Sequence, residues 1–311
     1  MKRPAGHARQ AGLAGLAFLI VLALGGAVLA QGDKIVRMQT LNVRDILYVL
    51  TGGSNTLALM RDEGVLLVDT KPPGWGRAIR DNIEAVSDKG VVTIINTHAH
   101  PDHVGGNVDF PTATTIIAHA NATARMEKME IFRGANAKFL PNKLVTDRLT
   151  LLDGNDRIDL YYFGRGHTDG DLVVVFPEKR LAHLGDLFPA KAAPVVDVES
   201  GGSGLAFPDT LTRAIAELKN VFRVTTGHDE ASLVTGGASG ISANPRTMTI
   251  KDLQEYADFN RDFLEAVKQA MASGKSADEA AKTLQMPERY KAYGMANAPA
   301  NVRAIYRELK Q

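Results

Sequence analysis

The sequence predicts an α/β domain followed by a helical C-terminal extension. Three observations carry that prediction. Short apolar runs ending in Gly, Asp or Asn alternate with segments of helical spacing between Ile46 and Thr225. Val91-Val92-Thr93-Ile94-Ile95 is an almost unbroken apolar run, as expected of a strand buried on both faces. After His228 the strand-like runs stop, and Ile250, Leu253, Ala257, Leu264, Val267 and Met271 trace one helical stripe.

In chain order, the first segment stands apart. Lys2, Arg3 and Arg9 precede an uncharged stretch from Ala11 to Ala30, and Val28-Leu29-Ala30 offers small residues where a peptidase cuts. Residues 1–30 therefore read as a secretory signal peptide, or as a membrane anchor if left uncleaved, since ~20 apolar residues span a bilayer. The rest is expected outside the cytoplasm: periplasmic or secreted, or held at the inner membrane by an uncleaved leader. Ile35 to Asp69 reads as short strands with turns, including Ile46–Leu50, Thr56–Met60 and Val65–Val68. Trp75 to Lys89 has helical spacing, with Ile79, Ile83 and Val86 on one side. A strand at Thr114–Ala118 and a helix from Ala122 to Phe132, capped by Asn121, follow the Val91–Ile95 strand. Further strands are expected at Arg157–Phe163, Leu172–Phe176, Arg180–Leu184 and Val221–Thr225, with a helix from Pro208 to Asn220 before the last. Gly236 to Pro245 is a small-residue loop, and Ser276 with Glu279 forms a capping box. The expected division is a main domain at 31–235 and a helical extension at 236–311 packing on its core.

Composition narrows the function. The chain has 311 residues, with 36 Lys+Arg against 35 Asp+Glu, so no nucleic-acid partner is expected. At 45% hydrophobic residues, disorder is excluded as the general state. Cysteine is absent, which excludes disulfides, thiolate nucleophiles and sulfur-ligated zinc. Any metal must sit on nitrogen and oxygen. No membrane contact is expected beyond the N-terminal segment, the substrate is expected to be a small molecule, and oligomeric state is left open.

The chemistry concentrates in histidines. His98, His100 and His103 fall within six residues, with Asp102 among them. In extended backbone His98 and His100 point to one face, as two ligands of one ion should, and Pro101 then turns the chain. His167 and His228 each follow a glycine just past a strand, and Asp186 ends another strand after Gly185. Strand ends are where loops from distant segments converge in α/β folds.

The ordered set His98-x-His100-x-Asp102-His103, then His167, Asp186 and His228, resembles the metallo-β-lactamase superfamily of dinuclear metallohydrolases. The resemblance covers about Ile35 to His228. It implies a four-layer αββα sandwich with the metal site at one edge. It also implies that His98, His100 and His167 hold one ion, that Asp102, His103 and His228 hold a second, and that Asp186 bridges them. Asp69 then stands behind the ligands and orients a histidine. His119 with Asn121 resembles a structural element of relatives, and a structural role is expected for His183. Two departures stand out: Thr226-Gly227-His228-Asp229 replaces the common Pro-Gly-His-Gly, and Arg165-Gly166 replaces Pro-Gly before His167. Arg165 therefore either reaches substrate or is a solvated loop residue.

The implied cofactors are two divalent ions, with zinc suiting imidazole and iron or manganese the alternatives. The implied reaction is hydrolysis by a hydroxide shared between the ions, steered by Asp102. Asp186 resembles thioesterases of the glyoxalase II type, lactonases and phosphodiesterases, and export disfavours glutathione thioesters. Ester, lactone, lactam or phosphoester bonds remain. The competing readings are a non-haem iron oxidoreductase of the persulfide dioxygenase type and a non-catalytic zinc-binding protein. The tract Ser200-Gly201-Gly202-Ser203-Gly204 reads as a flexible connector, with shaping of the pocket as the alternative.

Overall fold

The computed structural model describes residues 34, 36–42, 46–228 and 248–311. The proposed leader, Asp229 and the Gly236–Pro245 loop lie outside the described residues. Two sheets stack face to face. The first has seven strands in sequence order: β1 (Arg37–Asn42), β2 (Leu47–Thr51), β3 (Thr56–Leu59), β4 (Val65–Val68), β5 (Val91–Ile95), β6 (Thr115–His119) and β7 (Lys143–Val145). The second has six: β8 (Arg148–Leu151), β9 (Ile158–Tyr162), β10 (Leu172–Phe176), β11 (Leu181–His183), β12 (Arg223–Thr225) and β13 (Met248–Thr249).

The apolar runs split between two cores because successive side chains alternate faces. Leu66 and Val68 of β4, Ile95 of β5 and Ile117 of β6 point inward to meet Leu172, Val174 and Phe176 of β10. Val65, Leu67, Ile94 and Ile116 point outward onto α1 (Gly76–Glu84) and α3 (Ala120–Met126), where Ile79, Ile83 and Met126 cover them. On the far side Val173, Val175 and Ala182 meet α4 (Phe207–Glu217) and the C-terminal helices. Helix, sheet, sheet and helix make the four layers. Each fully buried Leu, Ile or Val contributes about 1.5–3 kcal/mol.

The C-terminal region contains α5 (Ile250–Ala272), α6 (Ala277–Thr283) and α7 (Ala298–Glu308). Leu253, Tyr256, Phe263 and Val267 of α5, with Val302 and Ile305 of α7, join the core of the second sheet. Among the described residues no helix is long and apolar enough to cross a membrane.

Several expectations shift. Helix α1 ends at Glu84, and Val86 is exposed rather than on the covered side. Helix α3 is capped by the His119 side chain, not Asn121: the His119 Nδ1 accepts from the Asn121 backbone N–H. It also stops at Met126, and Glu130–Phe132 is a separate 3-10 turn. The short strands β7, β8 and β13 and helix α7 were not anticipated. Strand β8 has no fully buried residue, so its pattern carries little apolar signal.

The topology gathers the strand ends. β4, β5 and β6 are parallel. β9 and β11 each run antiparallel to β10, and β12 runs parallel to β11. The C-terminal ends of β4 and β5 therefore form one cluster, as do those of β9, β11 and β12 in the second sheet. Asp69, the His98–His103 tract, His167, Asp186 and His228 all lie just beyond these ends.

Candidate metal centre

The chain after β5 turns at Pro101, the first residue of the short helix α2 (Pro101–Val104). Proline suits that position because its missing N–H has no helical partner to lose. The turn separates the tract in two. His98 and His100 face one group and Asp102 and His103 another.

Among the described residues, His98, His100, His167 and Asp186 offer ligand atoms within 4.8 Å of one another, and so do Asp102, His103 and His228. Asp186 lies between the groups. Its Oδ2 is 3.9 Å from His98 Nε2, 3.6 Å from His167 Nε2 and 3.4 Å from His228 Nε2, while its Oδ1 is 3.4 Å from His103 Nε2. His228 Nε2 also sits 3.2 Å from Asp102 Oδ2. The structure thus brings together all seven residues singled out from the sequence.

Four of the five rings are held from behind. His103 donates through Nδ1 to Asp69 Oδ2 at 2.7 Å. Thr97 donates its hydroxyl to the same carboxylate at 2.7 Å, and its oxygen in turn accepts from His98 Nδ1 at 3.0 Å. His167 donates through Nδ1 to the Val195 carbonyl at 2.7 Å. His100 donates through Nε2 to Asp197 Oδ2 at 2.8 Å. In the neutral rings that a metal requires, these acceptors assign the tautomers and turn the unprotonated nitrogen of each of the four inward. Asp69 is fully buried, in the left-handed region at φ 62°, with its other oxygen on the Thr97 N–H. Its carboxylate thus joins the His103 ring to Thr97. His183, also buried, bonds Thr225 Oγ1 through Nδ1 and has Nε2 3.9 Å from Asp69.

The charges match this arrangement. Burial and the charge of His103 push His98 well below the usual histidine range. Burial opposes ionisation of Asp186, but His228 and His103 outweigh it and hold the carboxyl well below its ordinary value. Burial likewise raises Asp102, yet the His228 hydrogen bond and the charge of His103 bring it down to about 2. The site accordingly presents anionic carboxylates and neutral His98.

A pair of cations fits these residues. His98 Nε2 and Asp186 Oδ1 are buried without a hydrogen-bond partner, a costly state unless something binds there. His167 Nε2 and His100 Nδ1 stand 3.0 Å apart with lone pairs facing, and His103 Nε2 and His228 Nε2 stand 3.2 Å apart. Tetrahedral zinc with nitrogen ligands at ~2.0–2.1 Å sets them about 3.3 Å apart.

Thr97, Val195 and Asp197 were not foreseen. Thr97 carries a signal in its adjacency to His98; the other two carry none. Arg165 is exposed and donates to the carbonyls of Gly201 and Gly202. The Ser200–Gly204 tract is tied down rather than free, through Asp169 N–H to Ser200 O at 3.0 Å and Ser203 N–H to Gly166 O at 3.0 Å.

Comparison with known proteins agrees with this geometry. The chain is 35% identical over 155 residues to the 2,4-dinitroanisole O-demethylase subunit alpha of Nocardioides sp. (strain JS1661), covering 48% of this chain and 46% of that subunit. It is 27% identical over 229 residues to the metallo-beta-lactamase type 2 of Elizabethkingia meningoseptica, covering 68% of this chain and 87% of that protein. Among solved structures, the sec-alkylsulfatase Pisa1 from Pseudomonas sp. superposes with a TM-score of 0.70 at 14% identity, over 88% of this chain and 50% of that one. A metallo-beta-lactamase from Pontibacter korlensis gives 0.58 at 16% identity, over 73% of this chain and 100% of its own. The chain thus spans about half the length of the demethylase subunit and of the sulfatase. A family model, that of the metallo-beta-lactamase superfamily, matches residues 50–228, more than half the chain and the whole stretch that carries the ligands. The chain belongs to the metallo-beta-lactamase superfamily.

Proposed function

We propose that the protein is an exported hydrolase that uses two divalent ions, zinc in the first instance, to open an ester, lactone, lactam or phosphoester bond in a small molecule. The observation that carries this reading is the Asp186 carboxylate, placed with oxygens toward both ligand groups. The second group, Asp102, His103 and His228, offers a separate set of ligand atoms for a second ion. When bound, two such ions supply Lewis acidity and lower the pKa of a water from about 15.7 to near 7.

The residues themselves do the rest. His98, His100 and His167 would hold one ion, Asp102, His103 and His228 the other, and Asp186 both. Asp102 and His100 are the more open members, with side chains 39% and 22% exposed, whereas His98, His103 and His167 are buried. Substrate therefore approaches from the Asp102 side. There the ionised Asp102 carboxylate accepts a hydrogen bond from the attacking water and orients it toward the scissile centre. No serine or cysteine nucleophile is needed.

Sulfate esters join the substrate set, because the alkylsulfatase likeness runs over more of this chain than the lactamase likeness. The test is metal analysis of the purified protein, joined to a hydrolysis screen across lactone, β-lactam, thioester, phosphodiester and sulfate-ester probes. Two ions per chain and turnover of one class support the reading; one iron per chain and oxygen consumption favour the oxidoreductase. His98→Ala and Asp186→Ala should each lower turnover by at least a thousandfold in a folded protein, and undiminished hydrolysis by either defeats the assignment.

A further inference from the structure

The C-terminal helices lie far from the ligands in sequence, yet a continuous chain of bonds joins them. Residues 191–196 run alongside the segment that leads into α7. Ala192 and Gly294 form a parallel bridge, Ala193 N–H donates to Gly294 O at 2.8 Å, and Gly294 N–H donates to Lys191 O at 2.9 Å. The buried Asn301 of α7 then clasps the next residues: its Nδ2 donates to Pro194 O at 2.7 Å, and its Oδ1 accepts from Val196 N–H at 3.4 Å. Between those two bonds sits Val195, whose carbonyl holds His167 Nδ1. Two residues further, Asp197 accepts from His100 Nε2 and donates its own N–H to the His167 carbonyl at 2.9 Å. Glu308, at the end of α7, secures the far side of the loop through Ser203 Oγ and the Gly204 N–H.

We propose that helix α7 is an outer wall of the metal centre, with Asn301 and Asp197 as positioning residues that orient His167 and His100 and so set the affinity of the ion those two hold. The inference rests on the two-ion reading above. Its content is an asymmetry. The other ion's ligands are braced from elsewhere, His103 by Asp69 and Asp102 by the Ser54 hydroxyl on its carbonyl at 2.6 Å. None of the bonds described from α7 reaches them. Removing an acceptor behind a ligand histidine lets the ring turn and lowers its basicity, which costs on the order of 10–100-fold in metal affinity.

The test uses the full chain stripped of metal and titrated with Zn2+ by calorimetry, and with Co2+ by absorption, for the parent and three variants. Asn301→Ala removes both clasping bonds. Asp197→Asn removes a charge while keeping size and shape. Arg303→Ala lies on the same helix, breaks only contacts to Asp278 and Pro299, and serves as the control. Asn301→Ala and Asp197→Asn are each expected to bind one ion as the parent does and the other at least tenfold more weakly, with a changed cobalt band for that site alone. Arg303→Ala should bind both as the parent does. Equal weakening of both ions, or parental affinity for both in folded Asn301→Ala, overturns the proposal. If Asn301→Ala does not fold, Asp197→Asn decides by the same criteria. A parent that takes up no ions refutes the metal-centre reading itself, an outcome distinct from a parent that binds two ions and variants that bind them equally well.

Discussion

Gly227 lies so close to Asp186 that a β-carbon built there would stand 2.0 Å from the carboxylate Oδ1. The residue before His228 must therefore lack a side chain for Asp186 to keep its place. Gly227→Ala is expected to cost at least one of the two bound ions and to cut turnover about a hundredfold, with modest effect on folding, measured by metal content and thermal unfolding. Asp69 shows the converse, a side chain that is needed for its charge. In Asp69→Asn an amide N–H replaces one of the oxygens that accept from Thr97 and His103, so His103 loses the acceptor that fixes its tautomer. The affinity of the ion beside His103 should fall about 10–100-fold, and that of the ion beside His98 by less, because Asp69 reaches His98 only through the Thr97 hydroxyl; parental affinity beside His103 would remove Asp69 from this role. At this scale the ligands were legible because their types and order are written in the chain. The acceptors behind them were not, since a threonine, a backbone carbonyl and an aspartate have many ordinary uses.

Elements were legible where periodicity was strong. The runs Val65–Val68, Val91–Ile95 and Leu172–Phe176 appear as strands with those limits, because each face of these strands meets its own apolar layer. Helix starts were legible where a capping box is written locally. Ser276 accepts from the Glu279 backbone N–H at 3.2 Å, and Glu279 answers by accepting from Ser276 N–H at 2.8 Å. Ser276→Ala should destabilise the protein by about 1 kcal/mol and lower its melting temperature by a few degrees. Metal content should not change, because the box lies on an exposed helix that buries only Ala280. Helix α3 was misread at its start because histidine is an unusual cap, and His119 takes the part only while Thr146 O and the Tyr162 ring hold it, the ring centroids 4.0 Å apart. Edge strands β7 and β8 escaped notice because they bury little.

For the molecule as a whole, three separate apolar clusters hold the layers together, and none of them includes a ligand side chain. Chelation of the metal should therefore leave the far-UV circular dichroism at room temperature unchanged. It should nonetheless lower the melting temperature, since ions that bind only the folded state stabilise it by about 2.7 kcal/mol at a hundred times their dissociation constant. Loss of secondary structure on chelation would instead make the metals part of the fold. The sequence by itself determined the α/β class, because hydrophobic period is a local property that survives without coordinates, and it named the seven ligand candidates through the resemblance of their ordered motif to a known family. Only the tertiary structure decided which acceptor stands behind each imidazole. His100 and Asp197 are 97 residues apart, and Asn301 is a further hundred or so from the loop it clasps. Such pairings depend on loops meeting at one end of two stacked sheets, where no periodicity marks them and a single hydrogen bond fixes which nitrogen faces the centre.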